Sequence, residues 1–167
     1  MSHHGLSYEE KRLLRGYHYF LQGVYHEDTV NCMCAMQNMA YFLQKKGWLR
    51  TDFEFFMSPH GMHSAGLETV LLRWEHKRDA VRAFQANNVE IEGLSLHDWK
   101  WIHNLFDLFM MGHHQKDKTE WITALASALY VKDVLLPGCS PEVIVQRVKE
   151  VVVLLPWKTA KEAALLL

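Results

Sequence analysis

What this sequence lacks first is a catalytic or metal signature. It has no HExxH, no GxSxG, no P-loop and no second cysteine pair. Cysteine itself is scarce: of the three residues, Cys32 and Cys34 are separated by one position. An odd count at that spacing argues against a secreted disulfide framework and suits a reducing cytosol. On a helix, residues i and i+2 face different ways, so Cys32 and Cys34 fit core or boundary packing better than chelation. Long apolar runs are also missing. The stretch Val151 to Leu155 is too short to span a bilayer, and MSHHGLSYEEKRLLRG carries charge where a signal peptide needs apolar residues. The expectation is a soluble, cytoplasmic protein with no membrane partner. No excess of one charge exists either: the net charge is −1, and residues 51–115 hold five Lys and Arg against nine Asp and Glu. Non-specific nucleic-acid affinity comes from cations neutralising phosphates, so a nucleic-acid partner is disfavoured from the outset.

What is present is apolar content of 49% over 167 residues, enough for one domain with its own core. The patterning is mainly α. Ser7 and Glu10 have capping-box spacing ahead of Leu13, Leu14, Tyr17, Phe20 and Val24, which predicts a helix from Tyr8 to Tyr25. Asp28 or Thr29 is placed to cap a second helix, with Met33, Met36, Ala40 and Leu43 on one face and Gly47 as its stop. Residues 80–86 read as helix, and Leu96 to Met111 is so rich in aromatics that burial on several sides is expected. Thr119 is positioned to cap a helix from Trp121 to Val134. Ser140 and Pro141 open a penultimate helix, and Pro156 separates it from a terminal one, Lys158 to Leu166.

The central stretch, TDFEFFMSPHGMHSAGLETVLLRWEHK, is different in kind. Phe53, Phe55 and Met57 alternate with polar residues as in a half-buried strand, which Val89 and Ile91 of NNVEIEGLSL are placed to pair with as a small sheet. Pro59 and Gly61 break the strand, and Ser64 caps a helix with Leu67, Val70, Leu71 and Trp74 inward. The whole reads as a compact multi-helix domain with a two-stranded β element, and helix and strand alternate in an order compatible with a winged-helix-like insert. The turn 58–64 is held at both ends, and such loops concentrate binding residues. Its candidates are Pro59, His60, Met62, His63 and Ser64, joined by Arg73 and Lys77 from a basic stripe that continues through Arg78 and Arg82. Met62 reads as an exposed, adaptable anchor between two histidines. The blander reading leaves Pro59 and Gly61 shaping a turn, His63 helping Ser64 cap the helix, and the stripe as a solvated face diluted by Glu75 and Asp79. His60 and His63 are three apart, but Gly61 opposes a helical turn between them and no fuller ligand set follows, so no metal or cofactor is expected. His113 and His114 suit the end of an aromatic helix.

Three stretches resemble a known family. MQNMAYFLQKKG (36–47) is similar to a helix of the form LQKLxYLLQ followed by glycine. FEFFMSPHGMHSAGL (53–67) is similar to an aromatic strand entering a YGPYSxxL turn, and EWITALASALYVK (120–132) to a Trp-led helix, WxxLLASLHYLK. Together they resemble the YwgA-like small bacterial and phage proteins, distantly similar to the Panacea antitoxin domain. The sequence departs from that pattern at Asn38, where the family tends to have Lys, and at Met62 and His63, where it tends to have Pro and an aromatic. The resemblance implies a mainly helical domain with a small sheet and no established chemistry, and, through the Panacea relatives, a partner neutralised by direct contact. The expected function is therefore a non-enzymatic protein-interaction module, antitoxin-like or inhibitor-like, carried by a bacterium or mobile element. Its partner is another protein, and homo-oligomerisation is open. A winged-helix-like nucleic-acid regulator and a histidine-ligated metal enzyme are the alternatives.

Overall fold

Nine consecutive buried residues, Trp121 to Leu129, mark the axis of the molecule. A helix whose middle turns carry mostly apolar and small residues belongs in the interior, and helix α6 (Lys118–Tyr130) is enclosed accordingly. The structure, a computed structural model, describes residues 5–21, 33–86, 95–110 and 117–167. Among these residues it is mainly helical, with eight α-helices and one small antiparallel sheet. Before α6 come α1 (Tyr8–Leu21), α2 (Met33–Lys45), strands β1 (Phe56–Ser58) and β2 (Gly61–His63), α3 (Ala65–His76), α4 (Arg78–Ala86) and α5 (Leu96–Met110). After it come a π-helical turn (Val131–Leu135), α7 (Pro141–Val151) and α8 (Trp157–Leu166). α6 packs against α2, β2, α7 and α8, while α1 packs against α2, α4 and α5. No described helix is long and apolar enough to cross a membrane.

Several caps stand where residue chemistry puts them. Ser7 N–H donates to Glu10 Oε2 at 2.7 Å and Glu10 N–H to Ser7 Oγ at 3.1 Å, a complete capping box. Ser140 caps α7 with Pro141 at its first position. The cap of α6 is Asp117, not Thr119: its Oδ1 accepts from the N–H groups of Thr119 and Glu120 at 2.8 and 3.1 Å. A carboxylate also complements the helix dipole better than a hydroxyl does. α1 and α2 pack closely at Gly16, where an added Cβ would lie 2.4 Å from Leu43 Cδ1.

α5 is less enclosed than its aromatic content suggests. Only Ile102 and Leu105 are fully buried among its described side chains, Leu96 is exposed, and Trp99, Trp101, Phe106 and Leu108 are half-buried. Its indoles lie over other side chains instead: Trp101 stacks on Trp48 at 6.0 Å, and Trp99 meets Tyr19 edge-on at 6.1 Å.

The sheet also differs from expectation. Phe56–Ser58 pairs with Gly61–His63 of the same stretch, in the register Phe56 with His63, Met57 with Met62 and Ser58 with Gly61. The anticipated helix caps Asp28 and Thr29, the partner strand at Val89 and Ile91, and Cys32, His113 and His114 lie outside the described residues.

Candidate functional site

The hairpin is positioned by one helix. Three amide side chains of α2, Gln37, Asn38 and Gln44, reach out to the backbone of the extended segment 51–64. Gln44 Oε1 accepts from Phe53 N–H at 3.2 Å and from the Thr51 hydroxyl at 2.7 Å, while its Nε2 donates to Phe53 O at 3.0 Å. Gln37 treats Ser64 the same way, accepting from its N–H at 2.8 Å and donating to its carbonyl at 3.0 Å. Each glutamine supplies one acceptor and one donor to a single residue, as a neighbouring strand would. Phe53 and Phe55 therefore alternate without belonging to a β-ladder.

Asn38 closes the clamp from a fully buried position. Its Oδ1 accepts from Met62 N–H at 2.8 Å; its Nδ2 donates to Cys34 O at 2.9 Å and His60 O at 3.1 Å, with Thr123 Oγ1 on α6 at 3.3 Å. The Cys34 thiol also donates to His60 O, at 3.0 Å. Gly61 is required twice over: its φ is +93°, and a Cβ there would lie 2.4 Å from Asn38 Oδ1. Pro59 supplies the fixed φ suited to the corner. Within the turn, Ser58 Oγ donates to Gly61 O at 2.9 Å and accepts from His60 N–H at 3.2 Å.

The candidates singled out by sequence separate into three groups. Pro59 and His60 are exposed at the tip, and Phe56, opposite His63 at the open end of the hairpin, is 53% exposed. His63 is half-buried, its ring 5.4 Å from that of Phe56 and its Nε2 3.4 Å from Glu68 Oε2. Met62 and Ser64 face inward, each 1% exposed. Met62 is thus a core residue and not an exposed anchor, because alternation along β2 turns it toward α2 and α6 while its neighbours point elsewhere. Ser64 caps α3, its Oγ accepting from Leu67 N–H at 3.4 Å. Arg73 and Lys77 stand at the far end of α3; nine residues of helix separate Ser64 from Arg73, a rise of roughly 13 Å.

At that far end, α1, residues 49–53 and α3 enclose a cleft of about 580 Å³. Leu13, Leu49, Phe53 and Val70 line it with Glu9, Glu10, Arg73 and Lys77. Glu10 Oε1 accepts from the Trp74 indole at 3.0 Å and lies 3.7 Å from Lys77 Nζ. Burial pushes the Glu10 carboxyl up, but the Ser7 N–H, the Trp74 indole, the Lys77 charge and the Ser7 hydroxyl outweigh it and leave the pKa below the usual value. Behind this wall Arg12 is buried at 2%, its Nε donating to Trp48 O at 2.8 Å and its guanidinium 4.1 Å from the Trp48 ring centroid. Trp48 Nε1 returns a bond to Arg12 O at 3.0 Å.

The residues that sequence reasoning passed over are the amides. Their only trace was polar side chains at positions 37, 38 and 44 of an otherwise apolar helix, seven apart at the outer two and so on one face. Tyr41, between them, has a buried hydroxyl with no hydrogen-bond partner among the described residues. Burial, with smaller contributions from Asp133 and Tyr130, raises its pKa further above the usual phenol value. Among the described residues no three His, Cys, Asp or Glu side chains converge as a metal site. The Cys34 thiol is engaged by a backbone carbonyl. Comparison with known proteins gives no matching family model, no matching curated protein and no matching solved structure.

Proposed function

We propose that this chain is a non-enzymatic protein-interaction module, antitoxin-like or inhibitor-like, that engages a partner protein with the outer face of its hairpin. The observation that carries this reading is the contrast across the hairpin. Asn38 and Gln37 hold its backbone from below, while Phe56, Pro59 and His60 stand exposed above. A pre-ordered hairpin loses little conformational entropy on binding, and an aromatic ring, a proline and an imidazole exposed on it offer both apolar area and polar contacts. The resemblance of residues 36–47, 53–67 and 120–132 to the YwgA-like proteins supports the same reading, and the cysteine usage favours a cytosolic setting for it. The excess of acidic residues over 51–115 weighs against duplex nucleic acid as the partner.

Retention of a partner from extracts of the native host, followed by affinity measurement with the purified partner, tests the proposal. Phe56→Ser with His60→Ala should lower affinity by at least about 1 to 2 kcal/mol, a five- to thirty-fold loss, with the melting temperature unchanged. Equal affinity for the double variant and the wild type would retire the hairpin as the interface.

A further inference from the structure

At the C-terminal end of α3 the cleft holds two opposite charges that, among the described residues, are only partly engaged or not engaged by the protein. Of its four charged side chains, Glu10 is taken up by Ser7, Trp74 and Lys77, and Lys77 by Glu10 and the Gly5 carbonyl at 3.4 Å. Glu9 uses only one oxygen, Oε2, which accepts from Arg50 N–H at 3.2 Å. Arg73 has no hydrogen bond or ion pair among the described residues. One carboxylate oxygen and one guanidinium are therefore open on the wall of a cavity whose floor is Leu13, Leu49, Phe53 and Val70.

We infer that this cleft binds a small apolar zwitterion: an apolar α-amino acid, or a short apolar peptide with both termini free. The ammonium of such a ligand answers Glu9, its carboxylate answers Arg73, and its side chain covers the apolar floor. A volume of about 580 Å³ falls within the range of small-molecule sites. A purely anionic ligand would leave Glu9 facing like charge, and a purely cationic one would do so to Arg73, so only the dipolar ligand satisfies both. An arginine fork also pairs with both oxygens of a carboxylate, which a single ammonium from lysine cannot match. The site is separate from the hairpin tip and does not depend on the role proposed for it.

The test is a titration of the ¹⁵N-labelled chain with L-leucine, N-acetyl-L-leucine, L-leucinamide and the dipeptide Leu-Leu. The Trp74 indole N–H reports on the cleft because it is bonded to Glu10 on the cleft wall. Leucine or the dipeptide should shift it saturably, and the tighter of the two identifies the source as free amino acid or peptide. Each singly blocked compound should bind at least about tenfold more weakly. Glu9→Gln should abolish the preference for leucine over N-acetyl-leucine while keeping that over leucinamide, and Arg73→Gln should do the reverse. Neither side chain is buried, so both variants fold. Absence of saturable shifts with leucine and the dipeptide, equal binding of all four compounds, or unchanged discrimination in both variants would each overturn the inference.

Discussion

Replacing Asn38 by leucine isolates the amide clamp. Leucine has nearly the same shape, so the substitution removes hydrogen bonds without opening a large cavity. The Met62 N–H is then left buried with no acceptor, which costs about 1 to 3 kcal/mol. His60 O loses one donor but keeps the Cys34 thiol, and its residue is exposed, so that loss adds roughly 1 kcal/mol at most. The sum is about 1 to 4 kcal/mol, to be read from urea denaturation followed by tryptophan fluorescence. Native-state hydrogen exchange gives the local part: protection of the Met62 amide should fall by more than the global stability does. Asn38→Asp sharpens the test. Its carboxylate would be fully buried and would face the Cys34 and His60 carbonyls, to which the amide had donated, without an N–H to offer them. Burial and those carbonyls raise its folded-state pKa above the unfolded value. Stability of this variant therefore falls as pH rises from the unfolded carboxylate pKa through the folded one, and its deficit shrinks on acidification. A loss below about 0.5 kcal/mol in Asn38→Leu, within the scatter of ordinary surface changes, would refute the clamp as a stabilising device. So would unchanged exchange at Met62.

Other substitutions test neighbouring steps of the argument. Tyr41→Phe removes a buried hydroxyl that has no partner among the described residues, so it should leave stability unchanged or raise it by about 1 kcal/mol in thermal or urea unfolding. Glu10→Gln bears on pH dependence with the opposite sign to Asn38→Asp. The lowered Glu10 pKa contributes stability above the ordinary carboxylate value of 4.5 and loses it as pH falls through the folded-state pKa, so the variant should show a shallower acid decline than the wild type. Trp121→Ala, at 1% exposure on the central helix, should cost roughly 3 to 5 kcal/mol by denaturant titration.

Helix positions and most caps were legible because they depend on neighbours in sequence. Ser7 with Glu10, Ser64 before Leu67 and Ser140 before Pro141 are local chemistry, and the structure has each of them. The strand was harder. Phe53, Phe55 and Met57 alternate as a strand does, yet at Phe53 the backbone is matched by Gln44 from a helix, a pairing that no periodicity within 51–58 encodes. Met62 was misread for a related reason. Flanked by His60, Gly61 and His63 it looks polar in company, but a β-strand turns successive residues to opposite faces, and only knowledge of β1 beside it fixes which face is inward. Asp117 took the cap expected of Thr119 because two candidate oxygens lie two residues apart and sequence ranks them nearly equally. The cleft escaped because it joins residues 5–13, 49–53 and 70–77, far apart along the chain.

The glutamine and asparagine contacts touch the N–H and C=O groups of Phe53, His60, Met62 and Ser64, and none of them touches a side chain on the exposed face. The clamp is thus indifferent to which side chains positions 52, 54, 56 and 60 carry, provided the backbone path, Pro59 and Gly61 are kept. Side chains exposed at the tip can be replaced while the backbone beneath them keeps contacts of its own. The hairpin is in that sense a socket: its solvent-facing side chains can be exchanged with no compensating change in the core.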